Sequence, residues 1–139
     1  MALTEAPIAV PVSHLFPLQD MSAREIAARI AAREIPAAEI VEHFIARLKA
    51  VNNRLNAVTV ELFDSARKTA AKFDAALLRG EKLPPLAGLP LTIKECFDLA
   101  GTASTFGLPS RRNMIESADD PYVAPPARFR SPRPTFRSF

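Results

Sequence analysis

Residues 84–107 read PPLAGLPLTIKECFDLAGTASTFG, and the rest of the chain is organised around them. It contains a short apolar run from residue 89 that ends at a lysine, Lys94. Prolines and glycines stand on both sides of the run, a pattern typical of a short strand between two loops. Because side chains alternate along a strand, Leu91 and Ile93 should lie on one face and Lys94 on the other. An apolar run, turn residues and an ionisable side chain meet here, so we expect a functional site in this stretch.

Lys94 has two interpretations. Lysines at strand ends are commonly solvated, and they protect the edge of a sheet from further pairing. A lysine that works as a base near neutral pH must instead be desolvated, because burial disfavours the ammonium form and lowers the pKa by about 2–3 units. The apolar neighbours Leu91, Ile93, Phe97 and Leu99 would provide part of this desolvation. The residues alone leave both interpretations open.

Charge divides the chain into a body and a tail. Residues 121–139 carry four arginines and no acidic residue, so 1–120 hold 14 basic against 15 acidic side chains. The formal charge of +3 therefore belongs to the tail.

The single cysteine, Cys96, excludes an internal disulfide and predicts a reducing compartment, the cytoplasm. Prolines interrupt the apolar runs, so we expect neither a signal peptide nor a membrane span.

Two helices are predicted in the first half of the chain. Ser22 and Glu25 have the spacing of a capping box, which predicts a helix that begins there and ends before Pro36. Pro36 suits the first position of a second helix, because its missing N–H is not needed there. Asn52 or Asn53 would end this helix, since asparagine tolerates the left-handed conformation.

A strand and a third helix follow. Residues 55–60 predict a short strand from the alternation of valines with Thr59. Apolar residues then recur at helical spacing from Leu62 to Leu77, and Gly80 is placed to end that helix.

Several blocks of the chain, in the same order, resemble the amidase signature family. Residues 85–95 and 101–107 are similar to its lysine motif and the Thr-Thr-x-Gly-Ser segment that follows. Residues 47–57, 66–75 and 119–124 are similar to helices and a connecting segment of the same family. The resemblance covers about residues 20–124, and it implies an α/β fold with helices packed on a mixed central sheet.

What the resemblance implies for function is hydrolysis of a carbon–nitrogen amide bond by a serine–cis-serine–lysine triad. Lys94 would be the triad lysine, with no metal or organic cofactor. The substrate would be a small-molecule amide, and its identity stays open: the glutamine-hydrolysing role of a transfer-RNA amidotransferase subunit, aryl, fatty and small aliphatic amides are all compatible. Neither the substrate-binding residues nor the oligomeric state is predicted.

The chain departs from the family pattern in three ways. Glu95 stands where the family usually has aspartate, and Leu108 where it usually has serine. The family's two catalytic serines lie in a Gly/Ser-rich block downstream of the lysine, whereas this chain has only four glycines and no such block. Its downstream serines match neither position, so we expect a polypeptide of these 139 residues to be inactive as an amidase by itself.

The expected organisation has three parts: an extended lead-in over 1–20, the N-terminal part of an amidase domain over 21–124, and a basic Pro/Arg/Phe tail without regular structure over 125–139. An alternative from another class is a non-catalytic interaction module. In that case the alternating arginines and phenylalanines of the tail would bind nucleic acid weakly, through phosphate contacts and stacking.

The family pattern stops just after Ala124, where Pro125 and Pro126 follow, and the residues beyond have neither acidic side chains nor helical periodicity. We therefore expect that a shift of reading frame follows Ala124. Translating the downstream DNA in the other two frames tests this, and one frame should contain a Gly/Ser-rich block with two serines. If neither frame contains one, the hypothesis is wrong.

Overall fold

The structure, a computed structural model, describes residues 18–124 and the backbone of residues 135–138. The helices are α1 (Ala23–Ala31), α2 (Ala37–Leu55) and α3 (Phe63–Leu78), and the strands are β1 (Val58–Val60), β2 (Leu91–Lys94) and β3 (Thr135–Ser138). Short 3₁₀ turns lie at Leu18–Asp20 and Pro109–Arg111. The first of these falls within the predicted lead-in, whose residues 1–17 lie outside the described part of the chain.

The described strands form a mixed sheet in the order β1-β3-β2. β3 pairs antiparallel with β1 and parallel with β2, and the register places Lys94 opposite Ser138. The prediction that the tail lacks regular structure is therefore wrong for Thr135–Ser138, while 125–134 lie outside the described residues. Strand pairing uses backbone N–H and C=O groups that nearly every residue carries, so a tail sequence without periodicity can still add a strand.

The start of α1 is as predicted. The Ser22 side chain accepts a hydrogen bond from the Glu25 backbone N–H, and the Ser22 backbone N–H donates to the Glu25 carboxylate at 2.8 Å. The helix ends at Ala31, before Pro36. The capping box and the end of α1 are confirmed.

The N-terminus of α2 is capped by a residue from another helix. Pro36 is the residue before the helix rather than its first residue, and it offers no side-chain acceptor. Instead the Asp74 carboxylate, on α3, accepts hydrogen bonds from the backbone N–H groups of Ala37 at 2.7 Å and Ala38 at 3.0 Å. Two of the free N–H groups that every helix start presents are thereby satisfied by tertiary structure.

The C-terminus of α2 corrects the prediction of a cap at Asn52 or Asn53. The helix continues to Leu55, and Asn56 takes the left-handed conformation at φ 49° and ψ 37°. The Asn52 side chain instead makes two hydrogen bonds of 2.9 Å to the backbone of Val58, one to its N–H and one to its C=O. These bonds hold β1 against the helix, and the strand begins at Val58 because the helix extends to Leu55 and Asn56 is left-handed.

Exposed charges also join α2 and α3. The Arg67 guanidinium donates two hydrogen bonds to the Glu42 carboxylate and one to that of Asp64. The hydrogen bond from Arg67 is the main cause that lowers the pKa of Glu42. The pair therefore stabilises the fold above the ordinary glutamate pKa and ceases to do so as acid protonates Glu42, but such exposed pairs contribute little.

The core lies between the three helices and the loop that precedes β2. Its buried apolar residues include Ile26 and Ile30 from α1, Ile40, Val41 and Ile45 from α2, Phe63, Ala66, Ala70 and Phe73 from α3, and Ala87 and Leu89 from the loop. On α2, Phe44 and Leu48 pack against this core and are only partly buried.

Gly88 is the point where the loop before β2 comes closest to the helices. Its φ is +83°, and a Cβ added there would lie 2.8 Å from the Ala37 Cβ and 3.2 Å from the Ile30 Cδ1. Both the left-handed backbone and the close contact require glycine. The position of β2 relative to α1 and α2 therefore depends on a residue without a side chain.

Gly88→Ala should lower the free energy of unfolding by about 3 kcal/mol, because left-handed strain and overpacking add. Gly80→Ala is a matched control, because Gly80 has φ +80° but a Cβ there meets no atom of the described residues within 4 Å. That variant should lose only about 1 kcal/mol. Urea unfolding followed by circular dichroism measures both, and equal losses would mean that the contact with Ala37 carries no cost.

Asp74→Ala should lower the free energy of unfolding by about 1–2 kcal/mol, since it leaves two N–H groups of α2 without their acceptor. Asp64→Ala is the control on the same helix, and its exposed ion pair should contribute at most about 0.5 kcal/mol. The same urea experiment applies. A loss at Asp74 no larger than that at Asp64 would contradict the role of Asp74 as the cap of α2.

Candidate active site

Lys94 is the last residue of β2. Leu91 and Ile93 are half-buried, whereas Thr92 and Lys94 are exposed, so the predicted alternation is confirmed. Directly after the strand, the Lys94 carbonyl accepts a hydrogen bond of 3.1 Å from the Phe97 N–H. The chain thus leaves the sheet in a tight turn at Lys94.

Among the described residues, Lys94 has the solvated environment of the first interpretation and not the desolvated environment of the second. Its side chain is exposed, Phe97 is itself 37% exposed, and Leu99 is half-buried. Lys94 lies on the face of β2 that carries Thr92, and both side chains are exposed. Desolvation of Lys94 would therefore require polypeptide outside the described residues.

Glu95 has the opposite environment to its neighbour. Its side chain is buried, at 9% exposure, and its carboxylate reaches the backbone of a loop ten residues further on. The Thr105 N–H donates to Oε1, and the Phe106 N–H donates to Oε2 at 2.9 Å and to Oε1 at 3.2 Å. Both carboxylate oxygens are used as acceptors for main-chain groups that have no partner in a sheet or helix.

The loop held by Glu95 contains a strained turn. The Leu108 N–H donates to the Thr105 carbonyl at 2.9 Å, and both central residues have positive φ, Phe106 at 50° and Gly107 at 74°. Such turns favour asparagine and glycine, and a phenylalanine in this conformation costs free energy. The Arg111 guanidinium lies 4.9 Å from the centre of the Phe106 ring and covers it.

A second arm closes the loop. Gly101 N–H donates to the Glu116 carbonyl at 2.9 Å, and Glu116 N–H donates to the Thr102 carbonyl at 3.0 Å. The Asp119 carboxylate accepts from the Ala100 N–H at 2.9 Å. Residues 98–104 and 114–120 therefore run alongside each other, and the loop after β2 is an ordered structure.

The serines that follow Lys94 and the cysteine near it differ in burial. Ser104 is fully buried within the loop, whereas Ser110 and Ser117 are exposed and Ser131 lies outside the described residues. Cys96 is half-exposed. Within 18–124, no three histidine, cysteine or acidic side chains cluster as metal ligands would. None of the helices in this range has the length and apolar character needed to cross a bilayer.

Sequence reasoning missed the link between Glu95 and the loop. It gave Glu95 only as a departure from the family pattern. The contact joins a side chain to main-chain N–H groups, which leave no pattern in a sequence. The one available signal was a carboxylate directly after an apolar strand, followed by a loop rich in serine and threonine.

Comparison with known proteins identifies a family with a similar sequence and fold. The family described as Amidase matches residues 39–125. Indoleacetamide hydrolase of Bradyrhizobium diazoefficiens is 40% identical over 107 residues, 77% of this chain and 20% of that protein. Fatty-acid amide hydrolase 2-A of Danio rerio is 36% identical over 115 residues, 78% of this chain and 22% of that protein. A bacterial aryl acylamidase, an amidase signature enzyme, has a similar structure with a TM-score of 0.67 and 30% identity, covering 70% of this chain and 20% of its own.

These similarities agree with one another and with the fold. The chain spans about a fifth of the length of the curated relatives it matches. Solved amidase signature structures confirm the predicted α/β class over most of the chain. The family match covers more than half of the 139 residues and includes the whole of β2 with its lysine. The chain therefore belongs to the amidase signature family, a family of amide hydrolases.

Proposed function

We propose that this chain contributes the lysine of a serine–cis-serine–lysine triad to an enzyme that hydrolyses carboxylic amides, and that Lys94 is this lysine. The observation that carries the proposal is the placement of Lys94. It ends a strand within the block that resembles the family's lysine motif, its side chain is exposed, and an ordered loop follows it.

The reaction requires that the lysine is correctly positioned and that its amine is neutral. A neutral lysine accepts the proton that the cis-serine relays from the nucleophilic serine, whose oxygen attacks the amide carbonyl. Backbone N–H groups stabilise the oxyanion, the amine leaves with the returned proton, and water releases the acid from the serine ester. No Gly/Ser-rich block lies in these 139 residues, so both serines would come from further polypeptide.

The exposure of Lys94 agrees with a site in which the serines come from further polypeptide. A solvated lysine is a poor base near neutral pH, because water stabilises the ammonium form. Polypeptide that brings the serines to the Thr92 and Lys94 face of β2 would also exclude water from it. Covering this face would therefore complete the triad and desolvate the lysine in one step.

The substrate class follows from the family and the similar proteins. Their printed names refer to indoleacetamide and to fatty-acid amides, which share a carboxylic amide and differ in the acyl group. We assign to this chain the shared group only, hydrolysis of a carboxylic amide. Residues that would distinguish one acyl group from another are not identified among 18–124.

A chimera tests the role of Lys94. Residues 1–124 replace the corresponding N-terminal part of the Bradyrhizobium indoleacetamide hydrolase, which supplies the remaining polypeptide. The chimera should hydrolyse indoleacetamide. Lys94→Met should lower kcat by about 10²–10⁴-fold, because methionine is similar to lysine in length but cannot accept the proton. Release of ammonia measures the rate.

Lys72→Met is the matched control, because Lys72 is an exposed lysine on α3 and its loss should leave kcat within about twofold. The 139-residue polypeptide by itself should show no turnover. Activity of the Lys94→Met chimera equal to that of the control would rule out Lys94 as the base. Turnover by the 139-residue polypeptide would contradict the requirement for serines from elsewhere.

A further inference from the structure

We infer that Glu95 is a positioning residue, whose carboxylate ties the 101–107 loop to the end of β2 and thereby fixes how Lys94 is presented. This inference rests on the proposed role of Lys94. Glu95 does not act on the substrate in this scheme. It acts through the backbone, on the residue that directly precedes it.

The contacts of Glu95 require a carboxylate. Oε1 accepts from the Thr105 and Phe106 N–H groups, and Oε2 accepts from the Phe106 N–H, so each oxygen faces a donor. A glutamine of the same shape would turn an N–H₂ group towards one of these donors. Since the side chain is buried, water cannot readily replace the lost bond.

The loop does not hold this shape by local preference. Phe106 lies at φ 50° with its ring half-exposed, a conformation that phenylalanine disfavours. Strained residues persist where surrounding contacts determine them, and the Glu95 carboxylate provides such contacts at the Phe106 N–H. Removal of the carboxylate should therefore let the turn around Phe106 relax.

The same carboxylate constrains the strand end. Glu95 lies within the turn that the Lys94 carbonyl and the Phe97 N–H close at 3.1 Å. The Glu95 side chain points into the protein and that of Lys94 lies exposed, so the peptide between them is held from the inner side. A shift of this peptide would move Lys94, and displacements of about 1 Å at a reacting group change rates by about 10²-fold.

Two measurements on the 139-residue polypeptide test the inference without any need for turnover. Amide hydrogen exchange at Thr105 and Phe106 reports whether the loop is held, and in Glu95→Gln it should accelerate by about tenfold or more. The acetylation rate of Lys94, relative to that of the exposed Lys68 and Lys72, reports its presentation and should change by about threefold or more.

Glu95→Asp and Glu61→Gln are the comparison variants. Glu95→Asp keeps the charge on a side chain one methylene shorter, so it should restore part of both effects, and it carries the test if Glu95→Gln does not fold. Glu61→Gln removes an exposed carboxylate and should leave both measurements unchanged.

Faster exchange in the loop with an unchanged relative acetylation rate of Lys94 would overturn the inference, because Glu95 would then support only the loop. Unchanged exchange in every Glu95 variant would overturn it as well. Neither result bears on whether Lys94 is the triad lysine, which the chimera decides.

Discussion

The N-terminus of α2 is the point on which the described structure depends. Ala37, fully buried, donates its N–H to Asp74 of α3 and lies against Gly88 of the loop before β2. Ile30 of α1 packs at the same place. Three helices and the chain that leads to Lys94 are therefore fixed to one another through a single turn of helix. The distance from Gly88 to the start of β2 is only three residues, so this packing also sets where the strand emerges.

Among the carboxylates that accept backbone N–H groups in the described residues, those of Asp74 and Glu95 each accept from two successive residues. Asp74 accepts from the first N–H groups of α2, and Glu95 accepts from the loop after β2. Each satisfies main-chain donors that have no partner in regular structure, and hydrogen bonds to a charged acceptor are stronger than neutral ones. The first contact orders the helical layer, and the second joins the strand end to its loop. One contact lies at the start of α2 and the other directly after β2, so they lie at the two ends of the part of the chain that leads from α2 to the candidate site.

In the proposed mechanism, the candidate site contributes the lysine of the triad. Lys94 is presented on an exposed face of β2, while the face that carries Leu91 and Ile93 is half-buried. Burial on one side favours a single register of the strand, and exposure on the other leaves the lysine side chain accessible. β3 pairs parallel with β2, and the register aligns Lys94 with Ser138.

The sequence by itself determined the local elements and the family. The capping box at Ser22, the helical spacing of α3 and the alternation of β2 each depend on neighbours a few residues apart, so they are visible in the order of residues. The lysine motif around Lys94 is likewise a continuous block. Tertiary structure alone decided that Asp74 caps α2, that Asn52 binds Val58 instead of ending its helix, that Thr135–Ser138 form the middle strand, and that Glu95 holds the loop. Each of these contacts uses backbone N–H or C=O groups, which are the same at almost every position and therefore leave no mark in the sequence.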